Sequence, residues 1–193
     1  MDSSLADFSL ATIVSIALGI GLAAATGFRI FVPLLIAGIA ARLDFIPLND
    51  GFAWLESTPA LITLGTAAVF ETLAYYVPGV DHVLDVIAGP AAVVAGVVAS
   101  ASVMTDLSPS LMWPLAIIAG GGAAGITKAG SALLRAQTGV ATAGIGNPVV
   151  STAETAGATI LSILVLLIPL LSVLLVIAIL VWAVRRIARF LRS

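Results

Sequence analysis

Residues 8–41 read FSLATIVSIALGIGLAAATGFRIFVPLLIAGIAA, and this stretch decides the fold of the chain. Arg29 is its one charged side chain. A transmembrane helix needs about 20 apolar residues, so the stretch is too long for one comfortable span and too short for two. Gly27 and Pro33 interrupt it on either side of the arginine. We therefore predict one span followed by a shorter half-helix, with the break buried in protein or lining a wet cavity.

The composition of the whole chain predicts the same environment. Of 193 residues, 61% are hydrophobic and 9% are charged, and the mean hydropathy is +1.21. An ordinary soluble domain carries about 25% charged residues. The composition excludes a water-soluble fold and predicts an all-α polytopic transmembrane helix bundle, with residues 1–193 forming a single transmembrane domain. The chain has no cysteine, which excludes disulfides, thiolate metal sites and thiol catalysis.

Short polar or Pro/Gly-containing breaks divide the apolar sequence into about six spans, with five or seven as alternatives. The predicted spans lie near residues 10–28, 59–77, 82–104, 111–129, 149–168 and 170–188.

The basic residues predict the orientation of these spans. Four arginines follow the last apolar run: Arg185, Arg186, Arg189 and Arg192. Basic residues that flank a span mark the cytoplasmic side, so we interpret this group as a topology anchor, with anionic-lipid recognition as the alternative. An even number of spans then places both termini in the cytoplasm and the acidic connections 43–58 and 105–110 outside. Residues 1–8 carry no basic side chain, unlike a signal peptide, so we expect a retained cytoplasmic end.

A shift of 99 positions aligns the chain weakly with itself. Gly21 falls on Gly120 and Arg29 falls on Lys128, and with a shorter loop Glu71 falls on Glu154. The implied halves are 10–104 and 111–190, each with three spans. An odd number of spans per half predicts an inverted 3+3 repeat with broken helices, an arrangement that recurs in transporters. Chance similarity between Ala/Gly/Leu-rich stretches is the alternative.

Ionisable side chains within spans are costly and usually face a bundle interior or water. Glu71 lies in an apolar segment and needs either a proton or a cationic partner. We predict that it pairs with Arg29, and that the repeat-related pair joins Lys128 to Glu154. Three interpretations remain. The first is structural ion pairs that fasten the halves, and the second is a gated or proton-coupled site in which Glu71 exchanges a proton or cation and Arg29 attracts an anion. Snorkelling of these groups to the interface is a third.

The segment after the second predicted span carries Asp81, His82 and Asp85. Asp81 and Asp85 share a helical face at i and i+4, and His82 and Asp85 are neighbours at i and i+3. Two carboxylates and an imidazole suit a metal ion. A helix start with first-turn acids is the commoner role of such a group, and a pH-sensitive gate is the third alternative.

Residues 139–151 read GVATAGIGNPVVS and predict a break followed by a new helix. Asn147 before Pro148 is typical of an N-cap with proline at the first helical position. Ser151 and Glu154 have the spacing of a capping box. Free amides at such a helix start also bind anions, which makes Asn147 a candidate site residue. The stretch lacks the lysine of a phosphate-binding loop, so we exclude nucleotide binding.

Small residues recur in the run Gly120-Gly121-Gly122, followed by Gly125 and Ala129. Small residues four apart permit close contact between helices. We expect them to serve packing, with a backbone-lined conduit or a hinge as the alternative.

Four segments together resemble a known family: residues 27–34 (GFRIFVPL), Phe70-Glu71, Asp81-His82-x-x-Asp85 and residues 146–151 (GNPVVS). They are similar to small bacterial integral membrane proteins grouped as domain of unknown function 4126. The resemblance extends over nearly the whole chain. It implies a multispanning protein of the bacterial inner (cytoplasmic) membrane and brings no activity with it.

The leading functional hypothesis is a membrane transport protein, a channel or secondary transporter for a small ion or solute. Arg29, Glu71, Lys128, Glu154 and Asn147 line or gate its path, and the group at 81–85 lies near the cytoplasmic mouth. The alternative is a non-transporting membrane protein that binds lipid or a protein partner, with structural buried charges. No motif in the sequence supports an enzyme, and no cofactor is implied. The sequence leaves open whether the protein forms a homo-oligomer. Without the terminal arginines, the chain has four basic and ten acidic residues. This acidic balance argues against nucleic acid as a partner.

Overall fold

The computed structural model describes residues 10–77, 80–142 and 145–169, together with residues 171, 174, 177, 178, 181, 182, 184, 185 and 188. The side chains of residues 80–83 lie outside this description.

The described residues form helices and turns without a strand. The elements are α1 (Leu10–Thr26), α2 (Phe31–Arg42), a 3-10 segment (Asp50–Glu56), α3 (Thr58–Ala74), α4 (Val80–Val103), α5 (Pro109–Leu115), a π turn (Ala116–Gly121), α6 (Gly122–Thr142) and α7 (Asn147–Leu167). The all-α prediction is confirmed for these residues. So is the break between α1 and a shorter α2, and its backbone at Gly27 and Arg29 is buried in protein.

Local signals explain where several helices begin and end. The hydroxyl of Ser57 accepts a hydrogen bond from the amide of Ala60 (3.3 Å), and proline occupies the first turn of α3. At the end of α2, Asp44 adopts a positive φ of 55°, a conformation that aspartate tolerates better than most residues. The chain therefore turns sharply after α2 and enters the 3-10 segment.

Helix α1 runs antiparallel to α4, and the two pack closely because small residues line the contact. A Cβ atom on Gly19 would lie 2.9 Å from the carbonyl oxygen of Ser100. Seven residues further along α1, the hydroxyl of Thr26 lies 3.3 Å from the carbonyl oxygen of Ala92, one of its two acceptors. Later residues of α1 thus contact earlier residues of α4, as antiparallel packing requires.

Helix α6 also runs antiparallel to α4, so α1 and α6 run in the same direction. A Cβ atom on Gly120 would lie 2.5 Å from the Cβ of Ser100, and Ala124 packs at Gly96. The 99-residue alignment needs α1 and α6 to be related by inversion, so that prediction is wrong for these two segments. Their similarity reflects small residues that pack on the same neighbour. The packing role of Gly120 is confirmed, whereas a Cβ atom on Gly122 would meet no atom of another element within 4 Å.

Helix α2 returns toward the end of the molecule at which α1 begins. It runs antiparallel to α3, as the hydrogen bond from Arg42 to the hydroxyl of Thr58 (2.7 Å) shows. The amide of Asn49 then donates to the carbonyl oxygen of Ser102 (2.8 Å) near the end of α4. We call this the loop end, where residues 43–57 and 104–108 meet. The opposite end, with residues 75–77 and 145–146, is the cluster end.

Described residues near the two termini lie toward opposite ends. Leu10 lies toward the loop end, whereas Trp182 lines a cavity with Val150 and Ala153 toward the cluster end. The prediction that both termini lie on one side is therefore not confirmed, and the half-helix after the break returns along α1 as an antiparallel partner. The expectation that 43–58 and 105–110 share a side is supported, since the rings of Phe52 and Trp113 are 6.2 Å apart.

Three helices are long and apolar enough to cross a membrane by length and composition: Leu84–Val103, Pro109–Thr142 and Asn147–Leu167. Three shorter apolar helices, α1, α2 and α3, accompany them. The chain is therefore membrane-like, while the count of six spans is not confirmed. Most residues of the predicted last span, 170–188, lie outside the described residues.

Candidate functional site

Seven side chains from α3, α4, α6, α7 and the break between α1 and α2 form one network near the cluster end. We call this network the charge cluster; its members are Arg29, Glu71, Tyr75, Asp85, Lys128, Arg135 and Glu154. Four of the five predicted transport or gating residues, all except Asn147, therefore lie in one place. The partners within the network differ from those predicted.

Arg29 extends from the break onto α7 and is 1% exposed. Its Nε donates to the hydroxyl of Thr155 (2.9 Å), and its Nη2 donates to the carbonyl oxygen of Ser151 (2.9 Å). The same Nη2 lies 3.6 Å from Oε2 of Glu154. The buried guanidinium thus ties the broken segment to α7 through its hydrogen bonds and one carboxylate.

Glu71 binds backbone amides and has no direct ion pair with Arg29 in the described structure. Its Oε1 accepts a hydrogen bond from the amide of Ile30 (2.8 Å), and its Oε2 accepts one from Phe31 (3.2 Å). No side chain of the break itself caps α2. The first amides of a helix lack partners within that helix, so Glu71 caps α2 from α3. The predicted Arg29–Glu71 pair is wrong for this reason.

Lys128 pairs with Asp85 on α4, so the predicted pair with Glu154 is also wrong. Its Nζ donates to Oδ1 of Asp85 (3.0 Å) and to the phenolic oxygen of Tyr75 (3.2 Å). The Tyr75 hydroxyl in turn donates to the same Oδ1 (3.2 Å). Close packing of α6 on α4 places Lys128 beside Asp85.

Glu154 contacts side chains from both α6 and the break between α1 and α2. Its Oε1 accepts from the hydroxyl of Ser131, and its Oε2 accepts from Nη2 of Arg135. Glu154 is not part of a capping box, because Ser151 already lies inside α7 and binds Arg29. The hydroxyl and the carbonyl oxygen of Ser151 bind the guanidinium of Arg29 and do not cap the start of a helix.

Arg135 and Tyr75 are the two members that the sequence analysis missed. Arg135 ion-pairs with Asp85 through Nε (3.4 Å) as well as with Glu154. Lys128, Ser131 and Arg135 follow each other at helical spacing, a polar face that was detectable in the sequence. The signal for Tyr75 was weak, because an aromatic residue at a helix end is also typical of a membrane interface.

Two guanidinium groups contact the ring of Tyr75. The Cζ atoms of Arg29 and Arg135 are each 4.3 Å from its centroid, and Nζ of Lys128 is 5.4 Å from it. Aromatic faces attract cations, most strongly where water is excluded. Tyr75 therefore holds three like charges around one ring, with its hydroxyl on Asp85.

Three guanidinium nitrogens of the charge cluster are buried without a hydrogen-bond partner among the described residues. They are Nη1 of Arg29 and both Nε and Nη1 of Arg135, of which Nε keeps an ion-pair contact with Asp85. Both side chains are less than a tenth exposed. Buried donors normally find a partner, so Nη1 of Arg29 and Nη1 of Arg135 mark the place where the network is incomplete.

The remaining predicted site residues have mixed outcomes. Asp81 and His82 lie in the first turn of α4, but their side chains are outside the described residues. Asp85 is bound by Lys128 and Arg135. Among the described residues, no group of three His, Cys, Asp or Glu side chains is placed to hold a metal ion.

Asn147 is not an N-cap, since α7 begins at Asn147 itself and Gly146 precedes it as the cap residue. Its side chain is buried near Gly139, one turn before the Ser151 that binds Arg29. Of the four terminal arginines, Arg185 is described and exposed, and the other three lie outside the described residues.

Two apolar cavities of about 400 Å³ each reach the charge cluster. The first is lined in part by Phe28, Leu134 and Trp182, and it contacts Ser131 and Glu154. The second lies among α2, α3 and α4 and contacts Glu71 and Tyr75. Each therefore pairs an apolar wall with polar atoms of the charge cluster.

Comparison with known proteins confirms the resemblance seen in the sequence. A family model described as domain of unknown function 4126 matches residues 16–189. No curated protein and no solved structure matches the chain.

Proposed function

The chain belongs to that family, domain of unknown function 4126, and from the charge cluster we propose that it is a membrane transport protein, a channel or secondary transporter for a small ion or solute. The observation that carries this proposal is the assembly of six buried or half-buried ionisable side chains around a broken helix. Charged groups inside a membrane bundle typically mark ion and substrate paths. The partners of the protein would be the bilayer and the transported species.

The cost of burying charges favours a functional role for the charge cluster. A buried ion pair contributes little net stability, because desolvation offsets the Coulomb attraction. Apolar packing of similar volume would serve as well, as it does around Leu22 and Val165. The retention of three cations and three carboxylates at one end of an apolar bundle is therefore better explained by a ligand, a proton or a gate.

The architecture supports the same proposal. Within the described residues, α1 (17 residues) and α2 (12 residues) are shorter than a hydrocarbon core of about 30 Å requires, so we propose that they enter and return as a pair. The directions of α1, α2 and α3 alternate, and those of α4, α5–α6 and α7 alternate in the opposite sense. We propose an inverted relationship between these two sets, with 170–188 as an additional span. Broken helices in such folds supply binding sites.

We further propose that the cluster end faces the cytoplasm of a bacterial inner membrane. Arg185 and the three basic residues after it follow the last apolar run, and such residues are retained on the cytoplasmic side. The loop end, which carries the acidic residues Asp44, Asp50 and Glu56, would then face outward. The charge cluster, with the group at 81–85, would lie near the cytoplasmic mouth.

Flux through liposomes tests the proposal. Purified protein should pass at least one ion from a panel of protons, alkali cations and small anions. Glu71→Gln should change the flux or its pH dependence at least several-fold, because it removes a charge while keeping one oxygen for the amides of α2. Glu56→Gln, at the exposed loop end, is the matched control and should leave flux unchanged. Absence of flux for the whole panel, with Glu71→Gln altering only thermal stability, would refute the proposal.

The two apolar cavities favour a second candidate, a non-transporting protein that binds lipid or a partner. Phe70 and Ile87 line the second cavity and are more than half exposed, as lipid-facing side chains would be. In this case the charge cluster would be purely structural. Lipid that copurifies at a fixed ratio, together with no flux in liposomes, would favour this candidate over transport.

A further inference from the structure

We propose that the charge cluster binds an oxyanion, a carboxylate or phosphate group, between Arg29 and Arg135 beside Tyr75. The inference deepens the proposed function by naming the class of the transported or regulating species. It rests on the transport proposal only for the role of the ligand, since the binding site is argued from the residues themselves.

Among the side chains that the structure describes, the charges in direct contact leave an excess of one positive charge. Arg29, Lys128 and Arg135 are paired with two carboxylates, those of Asp85 and Glu154. The third carboxylate, Glu71, is bonded to the first amides of α2 and neutralises the positive end of that helix. A bound monoanion would balance the remaining cation.

The unpartnered atoms point to the same ligand. Nη1 of Arg29 and Nη1 of Arg135 are buried donors without an acceptor. Both guanidinium groups contact Oε2 of Glu154 and the ring of Tyr75, so they are neighbours. Guanidinium groups bind carboxylate and phosphate oxygens through directed, charge-assisted hydrogen bonds.

The occupied carboxylate oxygens of the charge cluster argue against a bound cation. Both oxygens of Glu71, Asp85 and Glu154 already accept hydrogen bonds or contact cations. A metal or alkali cation would have to displace one of these contacts to obtain a carboxylate ligand. An oxyanion would instead add acceptors where donors are unpartnered.

The oxyanion has two sources consistent with the structure, a free anion or the phosphate of a lipid headgroup. The second cavity contacts Tyr75 through apolar walls that suit an acyl chain. A free anion would need no such wall. The binding chemistry is the same, and the experiment separates the sources.

Equilibrium binding to the full-length protein in detergent tests the inference. Inorganic phosphate or acetate should raise the melting temperature saturably at constant ionic strength, with chloride as the reference salt. Arg135→Lys keeps the charge but loses the forked donor, and it should weaken oxyanion binding by roughly tenfold or more. Arg42→Lys, at the exposed end of α2, is the matched control and should bind within about twofold of the unmodified protein.

The wild-type protein alone decides the question if Arg135→Lys does not fold. The absence of saturable phosphate and acetate binding, together with the absence of a bound anionic lipid, would overturn the inference. Phosphate that displaces a copurified anionic phospholipid would identify a headgroup as the source, and phosphate binding to lipid-free protein would identify a free anion. Flux without oxyanion binding would overturn this inference alone. Oxyanion binding without any flux would overturn the transport proposal alone.

Discussion

Two similar segments of the chain, 16–35 and 115–134, have different structures. Both place small residues before a cation, Arg29 in the first and Lys128 in the second. The first breaks after Thr26 and turns back, whereas the second continues as α6 to Thr142. A similar pattern of apolar and small residues therefore produces a hairpin in one case and a straight run in the other.

The difference has a local and a distant cause. Pro33 lies in the first turn of α2, where proline is tolerated, and the aligned position in α6 is Ala132. The distant cause is Glu71, which supplies acceptors for the amides that the break exposes. Breaking a helix inside an apolar bundle is feasible only when another element satisfies the freed backbone groups. α6 has no such break and keeps its own hydrogen bonds.

The two segments meet at Glu154, so its substitution should give the largest effect. Glu154→Gln removes the charge that Arg135 and Arg29 share, which leaves Arg29 without its ion-pair partner and Arg135 with Asp85 alone. We expect a loss of about 3–5 kcal/mol in the free energy of unfolding. The measurement is denaturant unfolding in detergent, with Glu56→Gln as the exposed control. A loss equal to that of the control would show that the two segments are not coupled through this carboxylate.

Glycines in the two segments should respond oppositely to an added methyl group. A Cβ on Gly27 would lie 2.5 Å from the Cβ of Thr127 and 2.6 Å from the carbonyl oxygen of Ala124. Gly27→Ala should therefore destabilise by about 1–3 kcal/mol. Gly122→Ala, with open space around it and helical neighbours on both sides, should stabilise by about 0.5–1 kcal/mol. Melting temperatures that move in the same direction for both variants would contradict the packing described.

Removal of the cap from α2 should give the smallest loss and the most local one. Glu71→Ala leaves the amides of Ile30 and Phe31 without acceptors and should destabilise by about 0.5–2 kcal/mol, the usual cost of a lost N-cap. Hydrogen exchange at these two amides should accelerate, while exchange within α6 stays unchanged. Equal acceleration in α6 would indicate that Glu71 supports the whole bundle rather than the break.

The sequence alone predicts a broken helix at Gly27 and the burial of Arg29, Glu71, Lys128 and Glu154, because apolar length and charge scarcity report directly on these features. It does not predict which charges pair. Pairing depends on which face each helix presents, and Glu71 reaches the amides of Ile30 only because α3 runs antiparallel to α2. The sequence did not predict the direction of α1 either, because hydropathy shows how long an apolar stretch is but not in which direction its helix runs.

The π turn at Ala116–Gly121 sets the direction in which the polar side of α6 faces. A π turn holds one residue more than an α turn, and each residue of a helix rotates the following side chains by about 100°. Deletion of one residue from this turn would restore regular α geometry while α5 keeps its place. Lys128, Ser131 and Arg135 would then turn away from Asp85 and Glu154 as a block. One residue in a stretch of alanine, isoleucine and glycine would thus set the rotation at which the charged face of α6 meets α4 and α7.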